Sequence, residues 1–323
     1  MKICVYGCGA IGSLLAVRLS AAGNEVCAVA RGEHLAAIQS GGLTLLADGT
    51  DSITAGIVAS DDPALLGEQD FVFLTMKSHA VPAIADAIAP LLGEHTTVVT
   101  ATNGIPWWYF CGVPNVSEPP ELRSVDPGKK LWRAIGPERA LGCVVYPAAV
   151  VVEPGVVKHV FGDRFAIGEP DGASSQRIEA LANCLQAAGF VAPIREDIRG
   201  DIWTKLVANA AFNPVSVITG KTLGGMIDDE ATCNLLRNIM EEVIAVADAY
   251  GVTTSMTAHE LIDATRQLGT HKTSMLQDFE AGRQLESGPI VGAVLELAAM
   301  RGLAATNLRM VAELLCAKVG ASM

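Results

Sequence analysis

The sequence predicts an α/β protein: a doubly wound parallel sheet in the amino-terminal part, followed by a second, all-helical domain. Up to about residue 195, short runs rich in β-branched residues alternate with helical patterns, which is typical of a doubly wound sheet. Beyond that point the strand signals stop, and apolar residues recur with a helical period almost throughout residues 197–320. We therefore expect one domain over residues 1–195 and a helical domain over residues 196–323.

The strands and helices of the first domain are predicted from short apolar runs and the residues that interrupt them. The expected parallel strands are residues 2–6, 25–30, 71–75 and 97–100, with helices between them, one of them at residues 80–89. Residues 43–47 and 52–57 flank Asp48-Gly49, a pattern that indicates a β-hairpin.

A second β-rich stretch lies further along the same domain. The strands expected to extend the sheet in antiparallel fashion are residues 141–146, 150–152 and 156–160. Pro147 and Pro154-Gly155 separate them. A helix over residues 174–188 and a last strand over residues 190–193 complete the predicted domain.

Residues 7–12 have the sequence Gly-Cys-Gly-Ala-Ile-Gly, a G-x-G-x-x-G fingerprint between the first expected strand and the first expected helix. A dinucleotide-binding turn requires that position. Gly7 allows the tight turn, Gly9 lets a pyrophosphate approach the backbone, and Gly12 lets the helix pack close to the strand. The N–H groups at the start of the helix then face the phosphates. We therefore predict a Rossmann-type domain whose cofactor turn consists of Gly7, Cys8, Gly9, Ala10, Ile11 and Gly12.

The end of the second expected strand indicates which dinucleotide binds. NAD sites usually carry Asp or Glu here, which accepts a hydrogen bond from the ribose 2′-hydroxyl. This chain has Arg31-Gly32 instead, and a guanidinium suits a 2′-phosphate by charge and by bidentate geometry. We predict NADP(H) as the cofactor; the alternative is that Arg31 is a solvated loop residue.

The composition restricts the classes of partner. The net charge of −12 argues against a nucleic-acid or anionic-membrane surface. The eight cysteines form no C-x-x-C pattern and the six histidines are isolated from one another, so we expect no metal site. No secretory leader precedes the first strand, and no apolar stretch reaches the roughly 18 residues of a membrane span. We therefore expect a cytoplasmic protein with reduced thiols.

The start of the second domain carries an unusual row of polar side chains. Lys205, Asn209 and Asn213 are spaced i, i+4, i+8, so on a helix they share one face. Buried amides need hydrogen-bond partners, so the row indicates either a substrate site or an internal polar network between the domains. A lysine at such a site can donate a proton and stabilise the alkoxide that develops when hydride transfer reduces a carbonyl.

Several motifs occur together in the order and spacing of one enzyme family. They are residues 7–12 with Arg31, Met76-Lys77-Ser78, Thr102-Asn103-Gly104, the Lys205/Asn209/Asn213-Pro214 helix, Thr-Ser-Met-Leu-Gln-Asp at 273–278 and Gly-Arg-Gln-Leu-Glu at 282–286. On these motifs the chain resembles the ketopantoate (2-dehydropantoate) 2-reductase family. The resemblance implies an NADP-dependent oxidoreductase that reduces a 2-oxo acid to a 2-hydroxy acid with NADPH, with the cofactor between the domains.

The resemblance also implies roles for individual side chains. Lys205 would be the proton donor, and Glu286 would position the substrate and hold the charge of the lysine. Asn103 would lie at both the nicotinamide and the substrate. The other substrate-binding residues would be Asn209, Asn213 and Ser274. The residues that contact NADP outside the glycine-rich turn would be Arg31, Lys77, Asn103 and Glu286.

Structural explanations compete with four of these roles. Ser274-x-x-Gln277 is a capping-box pattern, so the hydroxyl could cap a helix instead. Asn103-Gly104 could be only a turn after a strand, and Lys77 and Glu286 could be solvated. As partners we expect a small-molecule 2-oxo acid, no nucleic acid and no membrane, with a homodimer as one expected assembly.

Three departures from the family pattern lie near the expected substrate end of the site. Glu286 is followed by Ser-Gly-Pro-Ile-Val-Gly, His271 replaces a common asparagine, and residues 105–133 form a Pro-rich, aromatic insertion. We predict that the insertion is a lid-like flap that selects a bulkier or more apolar 2-oxo acid; a dimer contact or packing on the second domain is the alternative. Two other functions stay open: an NADP-dependent hydroxy-acid or opine-type dehydrogenase working oxidatively, and a non-catalytic NADP-sensing regulator.

Overall fold

A computed structural model of the chain describes residues 1–47, 51–113, 116 and 118–320. The chain divides into two compact units that alternate along the sequence. The first unit consists of Met1–Thr102, Pro106–Pro120 and Lys129–Ile198. The second unit consists of Asn103–Ile105, Glu121–Gly128 and Arg199–Met323. Two short segments that come before the main helical region in sequence therefore group with it.

The first unit is built on a twisted set of parallel strands. The strands that the structure describes are β1 (Lys2–Tyr6), β2 (Glu25–Val29), β3 (Leu43–Ala47), β4 (Ile53–Ala55), β5 (Val58–Ser60), β6 (Gln69–Leu74), β7 (Leu92–Thr100), β8 (Ala140–Val145), β9 (Ala148–Glu153), β10 (Val156–Phe161) and β11 (Phe165–Gly168). The main sheet has seven strands in the order β11-β8-β7-β6-β1-β2-β5. Six neighbouring strands of this sheet run parallel, namely β8, β7, β6, β1, β2 and β5. The remaining edge strand, β11, is antiparallel to β8.

Helices pack on the sheet of the first unit. They are α1 (Ala10–Ala21), α2 (Gly32–Gly41), α3 (Lys130–Ile135) and α4 (Gln176–Ala187). Leu14 and Leu15 of α1 are fully buried, and they belong to the same core cluster as Ile3 and Val5 of β1. Burial of these side chains removes apolar surface from water, which is the main favourable contribution to folding. The predicted α/β class and the doubly wound arrangement are confirmed.

The second unit is helical, as predicted. The helices of this region are α5 (Ile198–Thr219), α6 (Leu223–Ile227), α7 (Glu230–Ala249), α8 (Ala258–Arg266), α9 (Ser274–Glu280), α10 (Ala293–Met300) and α11 (Thr306–Val319). A π-helical turn, Gly288–Gly292, leads into α10. In α7 the buried residues Leu236, Ile239, Met240 and Val243 follow the helical period that predicted the domain. None of the described helices is both long and apolar enough to cross a membrane.

The second β-rich stretch differs from its prediction. We expected residues 141–160 to extend the main sheet in antiparallel fashion, but only β8 joins that sheet, and it runs parallel to β7. Strands β9 and β10 instead form a separate four-stranded sheet with the order β4-β3-β10-β9, in which β10 runs parallel to β3. Strands β3 and β4 pair in antiparallel fashion as predicted, while their Asp48-Gly49 turn lies outside the described residues.

Two further elements of the first unit are corrected by the structure. Residues 80–89 are not an α-helix: the 3₁₀ turn Ser78–Ile84 covers residues 80–84, residues 85–88 are irregular, and a second 3₁₀ turn, Ala89–Leu91, begins at Ala89. Each turn contains a proline, Pro82 or Pro90, which has no N–H to donate to a helical hydrogen bond. Residues 190–193 are not a regular strand: among the described residues they contribute one isolated bridge, Arg164↔Val191.

The aromatic run of the insertion is part of the core of the first unit. Trp107, Trp108, Tyr109 and Phe110 are at most 6% exposed. The Trp108 indole N–H donates a hydrogen bond to the Thr100 hydroxyl at the end of β7, at 3.1 Å. A flap that opens over a substrate would have to bring this fully buried side chain into water, so the burial of Trp108 favours a packing role over the predicted flap.

We therefore expect Trp108 to affect stability rather than substrate choice. Trp108→Ala should lower the free energy of unfolding by about 3–5 kcal/mol, because it leaves a large cavity. Trp108→Phe keeps much of the ring but loses the hydrogen bond to Thr100, so its loss should be smaller. Thermal unfolding of both variants checks this order. An alanine variant with unchanged stability and a raised KM for large substrates would restore the flap.

Candidate active site

The glycine-rich turn joins β1 to α1 and is shaped by two close approaches. Gly7 has a φ of +97°, and a Cβ atom there would lie 2.6 Å from the Met76 amide nitrogen. A Cβ atom on Gly12 would lie 2.5 Å from the Gly7 carbonyl oxygen. At Gly9, by contrast, the Cβ position has no atom within 4 Å. The outer glycines are thus required for packing, and the middle one leaves the open space that a pyrophosphate needs.

The start of α1 is suited to an anion. Gly9 is the N-cap residue, no side chain caps the helix, and no acidic residue lies in the first turn. The N–H groups of that turn and the positive end of the helix dipole are therefore directed towards the open space beside Gly9. Burial raises the pKa of the neighbouring Cys8 thiol to about 11, which disfavours the thiolate form.

Arg31 and Lys77 lie at the same edge of the sheet as the glycine-rich turn. Arg31 is exposed between β2 and α2, and Lys77 is exposed just before the 3₁₀ turn that follows β6. Strand β1 pairs in parallel with both β2 and β6, so the carboxyl ends of all three strands lie side by side. Two cations therefore flank the turn that would hold a pyrophosphate.

Residues that the sequence interpretation missed support this turn. The Thr75 hydroxyl donates to the Gly7 carbonyl oxygen at 2.8 Å. The Ser13 hydroxyl donates to the Cys8 carbonyl oxygen at 3.4 Å and lies 3.3 Å from His34 Nε2. His34 Nδ1 in turn accepts a hydrogen bond from the Gly155 N–H at 3.1 Å, so Nε2 carries the proton of a neutral ring. No sequence motif marks these contacts.

The partly buried His34 ring should make the stability of the folded protein depend on pH. Burial lowers its pKa from the ordinary value of 6.5. As the pH falls below about 6.5, the ring is therefore protonated in the unfolded chain before it is protonated in the folded chain. The contribution of His34 to stability is present above that pH and is lost as the pH falls through the folded pKa. We expect His34→Gln to reduce the fall in melting temperature between pH 7 and pH 5. The exposed His95, replaced in the same way, is the control and should leave the slope unchanged.

Lys205 and Asn103 meet within the second unit. Lys205 lies on α5, and its ammonium group donates a hydrogen bond to Asn103 Oδ1 at 2.9 Å. The two residues are 102 positions apart in sequence and are both partly buried. Asn103 follows β7 and is held by Gly104, whose φ of +92° makes a turn at this point. The structure thus brings together two of the predicted site residues.

The polar face of α5 continues towards α9. Asn209 is partly buried, whereas Asn213 is only 4% exposed and its Nδ2 atom has no hydrogen-bond partner among the described residues. The Asn213 carbonyl oxygen accepts from the Ser216 hydroxyl at 2.7 Å, and Ser216 Oγ lies 2.6 Å from Thr273 Oγ1. This buried chain links α5 to the start of α9. Ser216 and Thr273 were missed by the sequence interpretation.

Ser274 is not the cap of α9. The helix begins at Ser274, and the Thr273 side chain caps it by accepting from the Leu276 N–H. The capping explanation for Ser274 is therefore wrong, and its exposed hydroxyl is available to a ligand. Glu286 is only 6% exposed, so the alternative of a solvated glutamate is also wrong. Glu286 lies two residues before the π-helical turn Gly288–Gly292, and such turns are frequent at functional sites.

These features define a class of protein: an oxidoreductase with a dinucleotide-binding first unit and a lysine on the helical unit. Among the described residues, no group of three or more His, Cys, Asp or Glu could hold a metal ion.

Comparison with known proteins agrees with this class. The family model described as ketopantoate reductase PanE/ApbA matches residues 3–172, and the model of its C-terminal part matches residues 197–319. A 2-dehydropantoate 2-reductase of Mesorhizobium japonicum is 48% identical over 92% of this chain and 91% of its own length. The chain therefore belongs to the ketopantoate reductase family.

Solved structures support the same assignment of the fold. A crystal structure from Ralstonia solanacearum, assigned as a ketopantoate reductase, has a TM-score of 0.93 at 37% identity and covers 99% of both chains. A D-mandelate dehydrogenase solved with NADH and anilino(oxo)acetate has a TM-score of 0.84 at 21% identity over 99% of both chains. At that identity the second likeness shows the fold alone.

Proposed function

We propose that this protein reduces a 2-oxo acid to a 2-hydroxy acid with NADPH, and that ketopantoate is the first substrate to test. The hydrogen bond between Lys205 and Asn103, at 2.9 Å, carries this proposal together with the family assignment. It holds an ammonium group on a helix face that offers two further amides. Such a group can protonate the carbonyl oxygen of a substrate while the carbon accepts a hydride.

The first unit would bind the cofactor, and the residues present fit that role. The open space at Gly9 and the uncapped start of α1 suit a pyrophosphate. Arg31, in the place where NAD sites carry an acidic residue, suits a 2′-phosphate, so we propose NADP(H) rather than NAD(H). Lys77 would add a second contact at the same edge. NADPH, when bound, supplies the hydride.

The second unit would bind the substrate. Asn213 Nδ2 is a buried donor without a partner among the described residues, and such a group is costly unless a ligand accepts its hydrogen bond. The carboxylate and carbonyl oxygens of a 2-oxo acid are acceptors of this kind. We propose that Asn209, Asn213 and Ser274 donate to them, that Asn103 and Glu286 orient the substrate and the nicotinamide, and that Lys205 donates the proton.

The cysteines favour a reducing compartment. All eight are thiols rather than half-cystines, and five of them are buried. We therefore propose a cytoplasmic location, where thiols stay reduced.

A substrate panel tests the proposed function. We would measure NADPH oxidation with ketopantoate, pyruvate, 2-oxoisovalerate and a phenyl-bearing 2-oxo acid, and NADP⁺ reduction with the matching 2-hydroxy acids. The expected result is turnover of at least one 2-oxo acid, faster in the reductive direction. Faster oxidation would indicate a dehydrogenase that works oxidatively, and tight NADPH binding without turnover in either direction would indicate a sensor.

A further inference from the structure

We propose that Glu296 and Ser124 are positioning residues. They hold the π-helical turn that follows Glu286 in sequence, and this turn supports Asn103, the hydrogen-bond partner of Lys205. This inference rests on the proposed function for its kinetic effect but not for its structural one. All the residues involved belong to the second unit. The segment Glu121–Gly128 lies within the stretch that distinguishes this chain from the family pattern, and α10 lies just beyond the altered motif at 286–292.

Glu296 anchors the segment Glu121–Gly128 through a compact set of hydrogen bonds. Its carboxylate accepts the backbone N–H of Arg123 at 2.7 Å and that of Ser124 at 2.8 Å. It also accepts from the Ser124 hydroxyl. Three donors thus converge on one partly buried carboxylate, and bonds of this charge-assisted kind are stronger than neutral ones.

Ser124 lies directly against the π-helical turn. A Cβ atom on Gly292 would lie 2.5 Å from Ser124 Oγ, and one on Gly288 would lie 2.9 Å from the Ser124 carbonyl oxygen. The two glycines at the ends of the turn therefore allow the anchored segment to approach its backbone. Any larger residue at Gly292 would push Ser124 away from the turn or away from Glu296.

The same turn supports Asn103. The Pro289 carbonyl oxygen accepts a hydrogen bond from the Ile105 N–H at 2.9 Å. A Cβ atom on Gly104 would lie 2.5 Å from that oxygen, so the chain at residue 104 packs tightly on the turn. Because Asn103 directly precedes Gly104, a shift of the π-helical turn must also move the Asn103 side chain, which accepts the hydrogen bond of Lys205.

The chain supplies a matched control for Glu296. Glu242 is also partly buried in the second unit, and its carboxylate accepts the backbone N–H groups of Asn307 and Leu308, both at 2.9 Å, and the Asn307 side-chain amide at 2.8 Å. Glu242→Ala therefore removes the same number and kind of hydrogen bonds, but at the start of α11. The two variants should lose similar stability.

The first test compares Glu296→Ala with Glu242→Ala in the full-length protein. We expect Glu296→Ala to lower kcat about ten- to a hundredfold, the size of effect that a small misplacement of catalytic groups produces. NADPH affinity should fall less than kcat, because the glycine-rich turn, Arg31 and Lys77 are left in place. Glu242→Ala should leave kcat unchanged. Equal melting temperatures and equal kcat values for the two variants would overturn the proposal and leave Glu296 as a structural anchor only.

A second readout does not depend on activity. Acylation of the Lys205 amine by an amine-reactive reagent, followed by mass spectrometry, should be severalfold faster in Glu296→Ala than in the unmodified protein or in Glu242→Ala. Gly292→Ala should act like Glu296→Ala, because its Cβ atom would lie 2.5 Å from Ser124 Oγ and displace Ser124. Unchanged Lys205 reactivity in Glu296→Ala would contradict the positioning role of Glu296, whether or not any 2-oxo acid is turned over. Absent turnover together with the expected reactivities would contradict only the proposed function.

Discussion

Replacing Lys205 with alanine should lower kcat for the best 2-oxo acid by about 10²–10⁴, the usual loss when a positioned general acid is removed. Lys205 is the one ammonium in the polar row on α5, and its hydrogen bond to Asn103 Oδ1 orients it. NADPH affinity should change little, because the glycine-rich turn, Arg31 and Lys77 all belong to the first unit. Steady-state kinetics and a binding titration with NADPH separate the two quantities.

A second lysine of the same unit provides the control. Lys221 follows the end of α5, is not part of its polar row, and forms an ion pair with Asp229 at 3.0 Å. Lys221→Ala removes the same charge from the unit and should keep kcat within a few-fold of the unmodified protein. If Lys205→Ala retains as much activity as Lys221→Ala, Lys205 is not the proton donor.

The second large effect concerns the choice of cofactor. Arg31→Ala should remove most of the preference for NADPH over NADH, because one charge-assisted bidentate contact contributes roughly 1.5–3 kcal/mol, or about ten- to a hundredfold in affinity. Titration of the unmodified protein and the variant with both cofactors measures it. NADH affinity serves as the internal control and should stay nearly constant, since NADH has no 2′-phosphate. An unmodified protein that binds NADH more tightly than NADPH would contradict the assignment.

The parts that sequence could predict depend on local contacts. The glycine-rich turn joins a strand and a helix that are neighbours in the chain, so its spacing alone predicts the tight packing of Gly12 on the Gly7 carbonyl oxygen. The close approach of Met76 to Gly7 comes from a distant part of the chain and was not predicted. The row on α5 follows in the same way from helical periodicity, because residues four apart share a face. That Asn103 and Lys205, 102 residues apart, belong to one site was implied only by the resemblance to the family, and their hydrogen bond was not predicted.

Other features could not be predicted because residues distant in sequence decide them. Strand β10 pairs with β3 across more than a hundred residues, and nothing in either strand selects this partner over the edge of the main sheet. The aromatic run at 107–110 has a composition that suits a flap as well as a core; the contact of Trp108 with Thr100 decides in favour of the core. The anchor at Glu296 is invisible in sequence because it binds backbone N–H groups, which every residue except proline offers.

The central claim is that NADPH reduces the carbonyl carbon of a 2-oxo acid on this protein. The most direct test uses NADPH that carries deuterium at the transferred position, with ketopantoate and the best substrate of the panel, and mass spectrometry of the product. The account predicts a 2-hydroxy acid with one deuterium at the carbon that bore the oxo group, formed at a rate that Lys205→Ala strongly reduces. A product without deuterium, or no 2-hydroxy acid from any 2-oxo acid, would contradict it.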